Sequence, residues 1–170
     1  MNTLQRAFST LFFAATFLVL GQGFATRSYA GEDCHRVHGH IHSSFTTTNC
    51  TSPIGLCTVG MITGAGFLDS ATTFLALDAA PSAGMPAVEP SANLSYSGVL
   101  TINARKGTLV THDLGVLDAA TASFSEIERP ASGTGIFANA SSVFFISGAL
   151  VNNGTGFDGE LYGELCTDSD

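Results

Sequence analysis

The sequence predicts an all-β protein folded as a closed antiparallel barrel of eight strands. After residue 34, no window of a dozen residues shows the 3.6-residue period of an amphipathic helix. Short runs rich in Val, Thr, Ser and Phe instead alternate with turn residues. Glycines also stand inside several of these runs, and such glycines permit the sharp coiling that closes a small barrel. A β-sandwich is the alternative architecture.

Eight segments have the length and composition of strands. They cover residues 36–47, 57–64, 66–78, 94–104, 107–117, 121–129, 143–150 and 157–165. The last segment is the clearest, because Phe157, Leu161 and Leu165 alternate with acidic residues and define one apolar and one acidic face. Residues 143–150 are apolar on both faces, which is typical of a strand buried on both sides.

Turn residues separate these segments. Asn153-Gly154 predicts a type I′ hairpin, because both central residues of that turn need a positive φ. Arg105-Lys106-Gly107 predicts another tight turn. Residues 79–92 include three prolines, which hold neither a helix nor a strand ladder, so this segment is expected to be the longest loop.

The first thirty residues have the pattern of an export signal. Arg6 provides a positive start and residues 7–20 are apolar. A cleavage site with small residues follows, either Ser28-Tyr29-Ala30 or Gly23-Phe24-Ala25. The apolar run is shorter than the roughly 20 residues that span a bilayer. We therefore expect residues 1–30 to be a signal peptide, residues 31–170 to form the barrel domain, and the mature protein to be secreted or periplasmic.

The charge balance excludes several partners. The chain has 6 Lys and Arg against 14 Asp and Glu, and without residues 1–30 the net charge changes from −8 to −10. Nucleic-acid binding needs clustered basic residues, so no nucleic-acid partner is expected. Docking on an anionic membrane is disfavoured for the same reason, and no membrane association is expected after signal cleavage.

All four cysteines follow the predicted signal peptide, and an even number in an oxidising compartment usually means disulfides. Closing an antiparallel barrel with an even number of strands places the first strand beside the last. Cys34 precedes the first strand and Cys166 ends the last, so these two are expected to pair. Cys50 and Cys57 would then close the loop between them.

A glycine-rich stretch late in the chain resembles a family signature. Gly133-Thr134-Gly135-Ile136-Phe137, followed by Ala140, is similar to the Gly-Ser/Thr-Gly-x-Phe-x-x-Ala signature of plant allene oxide cyclases and dirigent proteins. Pro130 resembles the proline before that signature, and Gly55-Leu56-Cys57 resembles a second cyclase motif in the same order along the chain. The resemblance covers residues 50–166 and is nearest to bacterial-type, secreted allene oxide cyclase barrel-like proteins.

This resemblance implies a calycin-like barrel with an apolar pocket that steers the cyclisation or coupling of a reactive hydrophobic molecule. We expect a small hydrophobic molecule as the partner, in a pocket lined by residues such as Phe67, Tyr96 and Phe124. The alternative is a cofactor-free cyclase or isomerase, and catalysis is left open. A barrel filled by its own side chains, with a structural role, is a third reading, and an oligomer is compatible with all of them.

No cofactor is expected. Residues 133–138 fit the glycine spacing of a dinucleotide-binding fingerprint, but charged residues precede them and strand-forming residues follow, where that motif needs an apolar strand and a helix. The chain also has no nucleophile elbow, His-Glu-x-x-His motif or P-loop.

Two glutamates are the candidate catalytic residues. Glu126 and Glu128 share a strand face with Phe124, whereas Ile127 lies on the other face. If Phe124 points into the barrel, both carboxyl groups do so too, and burial would fit them for general acid–base chemistry. If Ile127 points inward, both are surface charges, and the rarity of buried carboxylates favours this second orientation.

Histidines form the only pattern typical of a metal site. His38, His40 and His42 alternate on one strand face, and His-x-His on a strand is a known zinc geometry. His38 and His42 lie about 13 Å apart by strand rise, so a third ligand must come from another strand. We expect instead a solvated outer face, with Gly39 and Ile41 facing inward, and no metal.

Overall fold

The computed structural model describes residues 32–79 and 93–168, and these form one closed antiparallel sheet. Each strand pairs with its neighbours in the chain, and the first pairs with the last. The strands are β1 (Glu32–Thr46), β2 (Cys57–Thr63), β3 (Thr72–Ala79), β4 (Asn93–Ala104), β5 (Gly107–Asp118), β6 (Ser123–Gly133), β7 (Ser141–Val151) and β8 (Gly156–Asp168). The predicted eight-stranded barrel is confirmed. The expected signal peptide and residues 80–92 of the expected loop lie outside the described residues.

Seven of the eight predicted segments match a strand to within four residues at either end, and the third does not. Residues 66–78 are predicted as one strand, but β3 begins at Thr72 and Gly66–Leu68 form a 3₁₀ turn. The amide of Gly64 donates a hydrogen bond to Oδ1 of Asp69 at 2.7 Å. The prediction is wrong at the start of this segment because such local bonds replace the strand ladder there.

Both predicted hairpins exist, but one has a longer connection than expected. Arg105 and Lys106 alone join β4 to β5, as predicted. At Asn153-Gly154 the prediction of a two-residue type I′ turn is wrong, because four residues, 152–155, separate the last paired residues of β7 and β8. Asn152 and Asn153 have left-handed φ values of 53° and 56°, a conformation that asparagine tolerates better than most residues.

Inward-facing side chains of all eight strands form the core of the barrel. In β5, Leu109, Thr111 and Asp113 are buried, whereas His112 and Leu114 between and after them are exposed. The largest fully buried apolar side chains are Val37, Ile41, Ile62, Leu68, Ile102, Leu109, Phe137, Phe144, Ile146, Leu161 and Leu165. Removal of this apolar surface from water is the main favourable contribution to folding.

One end of the barrel, here called the closed end, is plugged by two 3₁₀ turns. Gly66–Leu68 precede β3, and Gly135–Phe137 join β6 to β7. Leu68 and Phe137 are both 0% exposed. The rings of Phe67 and Phe137 lie 5.9 Å apart, so the two turns meet across the end of the barrel.

The stretch that carries the family resemblance, Gly133-Thr134-Gly135-Ile136-Phe137, belongs to the closed end. The amide of Ile136 donates a hydrogen bond to the carbonyl of Lys106 at 3.2 Å. Gly135 has a φ of 61°, and a Cβ at this position would overlap the Lys106 carbonyl. Only glycine fits both constraints, so the motif seats the plug against the β4–β5 hairpin.

Both predicted disulfides are present. Cys34 and Cys166 are direct partners in the β1–β8 pairing at the closed end, and their bridge spans 132 residues. Cys50–Cys57 spans 7 residues and closes the chain just before β2. The two bridges are compatible with an extracellular or periplasmic protein. Within residues 32–79 and 93–168, no helix has the length and apolar character of a membrane-spanning segment.

Candidate functional site: an apolar pocket above buried carboxyl groups

The opposite end of the barrel, here called the open end, contains an apolar pocket. Its volume is about 210 Å³. It therefore exceeds the roughly 150 Å³ of an engineered apolar cavity that binds benzene. The lining residues are Phe45, Leu56, Thr58, Leu75, Leu77, Leu94, Tyr96, Leu117, Phe124, Glu126, Leu150, Gly154 and Phe157. Apolar side chains dominate this wall, with a few polar groups among them, as is typical of small-molecule sites.

Two of the three predicted lining residues are in this pocket. Tyr96 and Phe124 line it, and the Phe124 ring packs edge-on against Phe157 with 5.2 Å between centroids. The prediction that Phe67 lines the pocket is wrong, because its 3₁₀ turn places it at the closed end. There its ring packs at 5.6 Å from the ring of His35.

Tyr96 and Glu126 lie in one row across the sheet, with Gly115 between them. Tyr96 pairs with Gly115 across β4–β5, and Gly115 pairs with Glu126 across β5–β6. A Cβ at Gly115 would overlap the Tyr96 ring, so the absence of a side chain there lets the ring lie over β5. The Tyr96 phenol donates a hydrogen bond of 2.7 Å to Oε1 of Glu126. Gly115 thus allows contact between two side chains whose strands are not neighbours.

Both candidate glutamates point into the barrel. Glu126 is 6% exposed and Glu128 is 0% exposed, on the same face as buried Phe124. Ile127 faces the other way and is half-buried. The surface orientation favoured at the sequence level is therefore wrong. The burial of Phe124 at the open end decides the orientation of β6, and the alternation of the strand carries both carboxyl groups inward with it.

A third buried acid, Asp113, completes the group. It lies opposite Glu128 in the β5–β6 pairing and is 3% exposed. One carboxylate oxygen from each of Asp113, Glu126 and Glu128 lies within 4.8 Å of the others. The sequence contained the signal for Asp113, because it follows Leu109 and Thr111 at alternate positions of β5. We call these three residues the carboxyl cluster.

Hydrogen bonding within the carboxyl cluster is incomplete. Glu126 accepts from Tyr96, and Oε2 of Glu128 accepts a short bond from the hydroxyl of Thr111. Oε1 of Glu128 and both oxygens of Asp113 are buried and have no hydrogen-bond partner among the residues that the structure describes. In the part of the chain that the structure describes, the ion pairs are surface His–Asp pairs, so no Lys or Arg there neutralises these acids.

Burial raises the pKa of all three carboxyl groups. Desolvation alone raises the pKa of Glu126 to about 7, against an opposing hydrogen bond from Tyr96. Desolvation and then repulsion from Glu126 raise the pKa of Glu128 to about 8. The pKa of Asp113 rises to about 10, again through desolvation first and its two acidic neighbours second. Burial followed by the nearby Glu126 also raises the pKa of Tyr96, so its phenol stays protonated as a donor.

The histidine pattern does not form a metal site among the described residues. His38, His40 and His42 are exposed on the outer face of β1, and Gly39 and Ile41 face inward, as expected at the sequence level. Nδ1 of His42 instead contacts Oδ1 of Asp158 at 2.7 Å. No group of three close metal-ligating side chains in the described ranges includes a histidine.

Comparison with family models, with curated proteins and with solved structures gives no match for this chain. The functional reading therefore depends on the geometry of the open end.

Proposed function

We propose that this protein is an exported barrel that binds a small hydrophobic molecule in the pocket of the open end. The observation that carries the proposal is the pocket itself. Leucine and phenylalanine side chains form most of the wall of an opening of about 210 Å³, in a protein whose other end is filled. An apolar ligand that enters such a space removes apolar surface from water on both sides, which favours binding.

The polar groups in the wall restrict the orientation of the ligand. The Tyr96 phenol and the Glu126 carboxyl are hydrogen-bonded to each other at the inner part of the pocket. A ligand whose polar group contacts this pair and whose apolar body contacts Leu117 and Leu150 would match both the polar and the apolar parts of the wall. The occupant that fits is therefore an amphiphilic small molecule with a single polar group, somewhat larger than benzene.

Titration with a neutral apolar fluorophore, N-phenylnaphthylamine, tests this proposal. Wild-type protein should give saturable emission that is insensitive to salt, because burial of apolar surface and not charge pairing drives binding. Phe124→Ala should weaken binding about tenfold or more, since the loss of a large buried contact is worth at least about 1.4 kcal/mol. Phe67→Ala removes the same ring from the closed end and is the matched control, with affinity unchanged. The absence of saturable binding by folded wild-type protein would contradict the proposal.

A cofactor-free cyclase or isomerase is the second candidate, and one observation favours it. The Glu126 carboxyl lies in the apolar wall, within reach of a bound molecule, and Tyr96 fixes its position. Such a group can transfer a proton while the wall holds one conformer of the substrate. The resemblance to allene oxide cyclases implies an allene oxide as the substrate to test. If the protein is a cyclase, Glu126→Gln should keep fluorophore affinity and lose the stereoselective formation of the cyclic product. If wild-type protein gives the same product composition as buffer alone, the cyclase candidate is excluded and only the binding function is left.

A further inference from the structure

The carboxyl cluster lies beneath the pocket and is built from two neighbouring strands. Asp113 comes from β5, and Glu126 and Glu128 come from β6. The strand pairing places Asp113 directly opposite Glu128, and Glu126 is two residues away on the same face. Glu126 also lines the pocket, so one member of the cluster borders the open end.

The spacing of the cluster fits a single hard cation. Calcium binds oxygen ligands at about 2.3–2.6 Å, which places two oxygens on opposite sides of the ion no more than about 5 Å apart. One oxygen from each of the three carboxyl groups lies within 4.8 Å of the others. Three oxygens can therefore contact one ion without movement of the strands.

The unpartnered oxygens point to the same occupant. Asp113 is 3% exposed and Glu128 is 0% exposed. Within residues 32–79 and 93–168, neither oxygen of Asp113 has a hydrogen-bond partner, and Oε1 of Glu128 has none. Buried acceptors without a partner are costly and rare in folded proteins, and a bound ion satisfies several of them at once. Tyr96 donates to Oε1 of Glu126 and Thr111 donates to Oε2 of Glu128. These bonds hold the two glutamate side chains in place, as outer partners of metal ligands do.

We propose that Asp113, Glu126 and Glu128 bind one divalent cation of the calcium type at the floor of the pocket. All three ligands are oxygens, which favours calcium over zinc, because zinc sites generally include nitrogen or sulfur. His112, the histidine adjacent to Asp113, is exposed on the outer face of β5, and the cysteines are joined in disulfides. The site shares Glu126 with the ligand proposal above, whereas Asp113 and Glu128 are not part of the pocket wall that carries that proposal.

Terbium luminescence provides a direct assay, because Tb³⁺ replaces Ca²⁺ and is sensitised by a nearby phenol. The chain has no Trp. Tyr96 is 2.7 Å from Glu126, whereas the other described tyrosine, Tyr162, is exposed on β8. Wild-type full-length protein should show saturable Tb³⁺ emission that Ca²⁺ displaces and Mg²⁺ displaces less well. Asp113→Asn keeps the shape of the side chain and should reduce Tb³⁺ affinity by more than the ~10–100-fold that loss of an outer partner costs.

Two further variants serve as controls for this assay. Tyr96→Phe should lose sensitised emission but still bind Ca²⁺ in calorimetry, and Glu160→Gln, on the exposed face of β8, should bind as wild type does. Calcium should also raise the Tm of wild type and leave that of Asp113→Asn unchanged. The same melting curves show whether Asp113→Asn is folded. The proposal is overturned by the absence of saturable emission, by displacement with Zn²⁺ but not Ca²⁺, or by equal effects of Asp113→Asn and Glu160→Gln. None of these outcomes bears on fluorophore binding, so the two proposals fail separately.

Discussion

The two ends of this barrel are built from the same eight strands and have opposite contents. At the closed end, Leu68 and Phe137 are 0% exposed, and a disulfide joins the first strand to the last. At the open end, an apolar pocket of about 210 Å³ leads to buried carboxyl groups. The comparison indicates that tight packing and covalent closure at one end stabilise a fold that leaves space and buried acids at the other.

The same contrast explains the position of the family-like stretch. Gly133-Thr134-Gly135-Ile136-Phe137 lies in the plug, where Gly135 avoids the Lys106 carbonyl and Phe137 fills the barrel. None of these residues lines the pocket. The motif therefore supports the barrel architecture, and the chemistry of the open end is set by other residues.

The largest expected difference between the ends concerns the two disulfides. Replacing Cys34 and Cys166 with Ser should lower the free energy of unfolding by about 4 to 5 kcal/mol, because their bridge closes a loop of over a hundred residues. Replacing Cys50 and Cys57 should cost only about 2 to 3 kcal/mol, because the loop is short. Guanidinium denaturation of the two double variants measures both values. Equal losses would show that the bridge at the closed end has no special role in stability.

Truncation of phenylalanines at the two ends should separate stability from binding. Phe137→Ala should lower the free energy of unfolding by about 3–5 kcal/mol, because it opens a cavity in the filled plug. Phe124→Ala should cost less, since its ring borders space that is already empty, and should instead weaken fluorophore binding. Thermal unfolding and fluorophore titration of both variants test this. A larger stability loss in Phe124→Ala would reverse the assignment of the two ends.

A smaller effect, specific to the open end, is the dependence of stability on pH. In protein freed of metal by a chelator, stability should fall as the pH rises from about 5 to about 8. The folded-state pKa values of Glu126, about 7, and Glu128, about 8, exceed the ordinary 4.5, so the folded protein keeps protons that the unfolded chain releases. This stabilisation is complete below pH 4.5 and is lost as the pH rises through the folded values.

The decrease should be at least about 1.4 kcal/mol, the equivalent of one pKa unit. Urea denaturation across this range measures it. The titratable groups that face Glu128 are Asp113, Glu126 and Tyr96. Glu128→Gln should reduce the pH dependence, because the amide stays neutral while Glu126 and Asp113 still titrate, and Glu160→Gln should leave it unchanged. A flat profile in wild type would contradict the burial of ionisable acids.

Much of the fold could be predicted from the sequence, because strand alternation and turn residues are local signals. The strand series, the Arg105-Lys106 hairpin and both disulfides follow from them and from barrel closure. The 3₁₀ turn at Gly66–Leu68 could not be predicted, since its hydrogen bonds compete locally with a strand ladder. For the same reason the prediction that Phe67 lines the pocket is wrong.

The candidate site was harder to predict, because it depends on pairing between distant segments. Alternation shows that Glu126 and Glu128 share a face with Phe124, but not that this face is the inner one. The contact of Asp113 with Glu128 and the role of Gly115 depend on the register of β4, β5 and β6, which no local pattern specifies.

The central claim is that the open end alone is a site for small apolar molecules, and a methyl-labelled NMR titration with benzene tests it most directly. Leu117 and Leu150 line the pocket, whereas Leu68 and Leu165 are fully buried away from it. Benzene should cause saturable shifts in the methyl signals of Leu117 and Leu150 and none in those of Leu68 and Leu165. The account is contradicted by the absence of saturable shifts, or by equal shifts at both ends of the barrel.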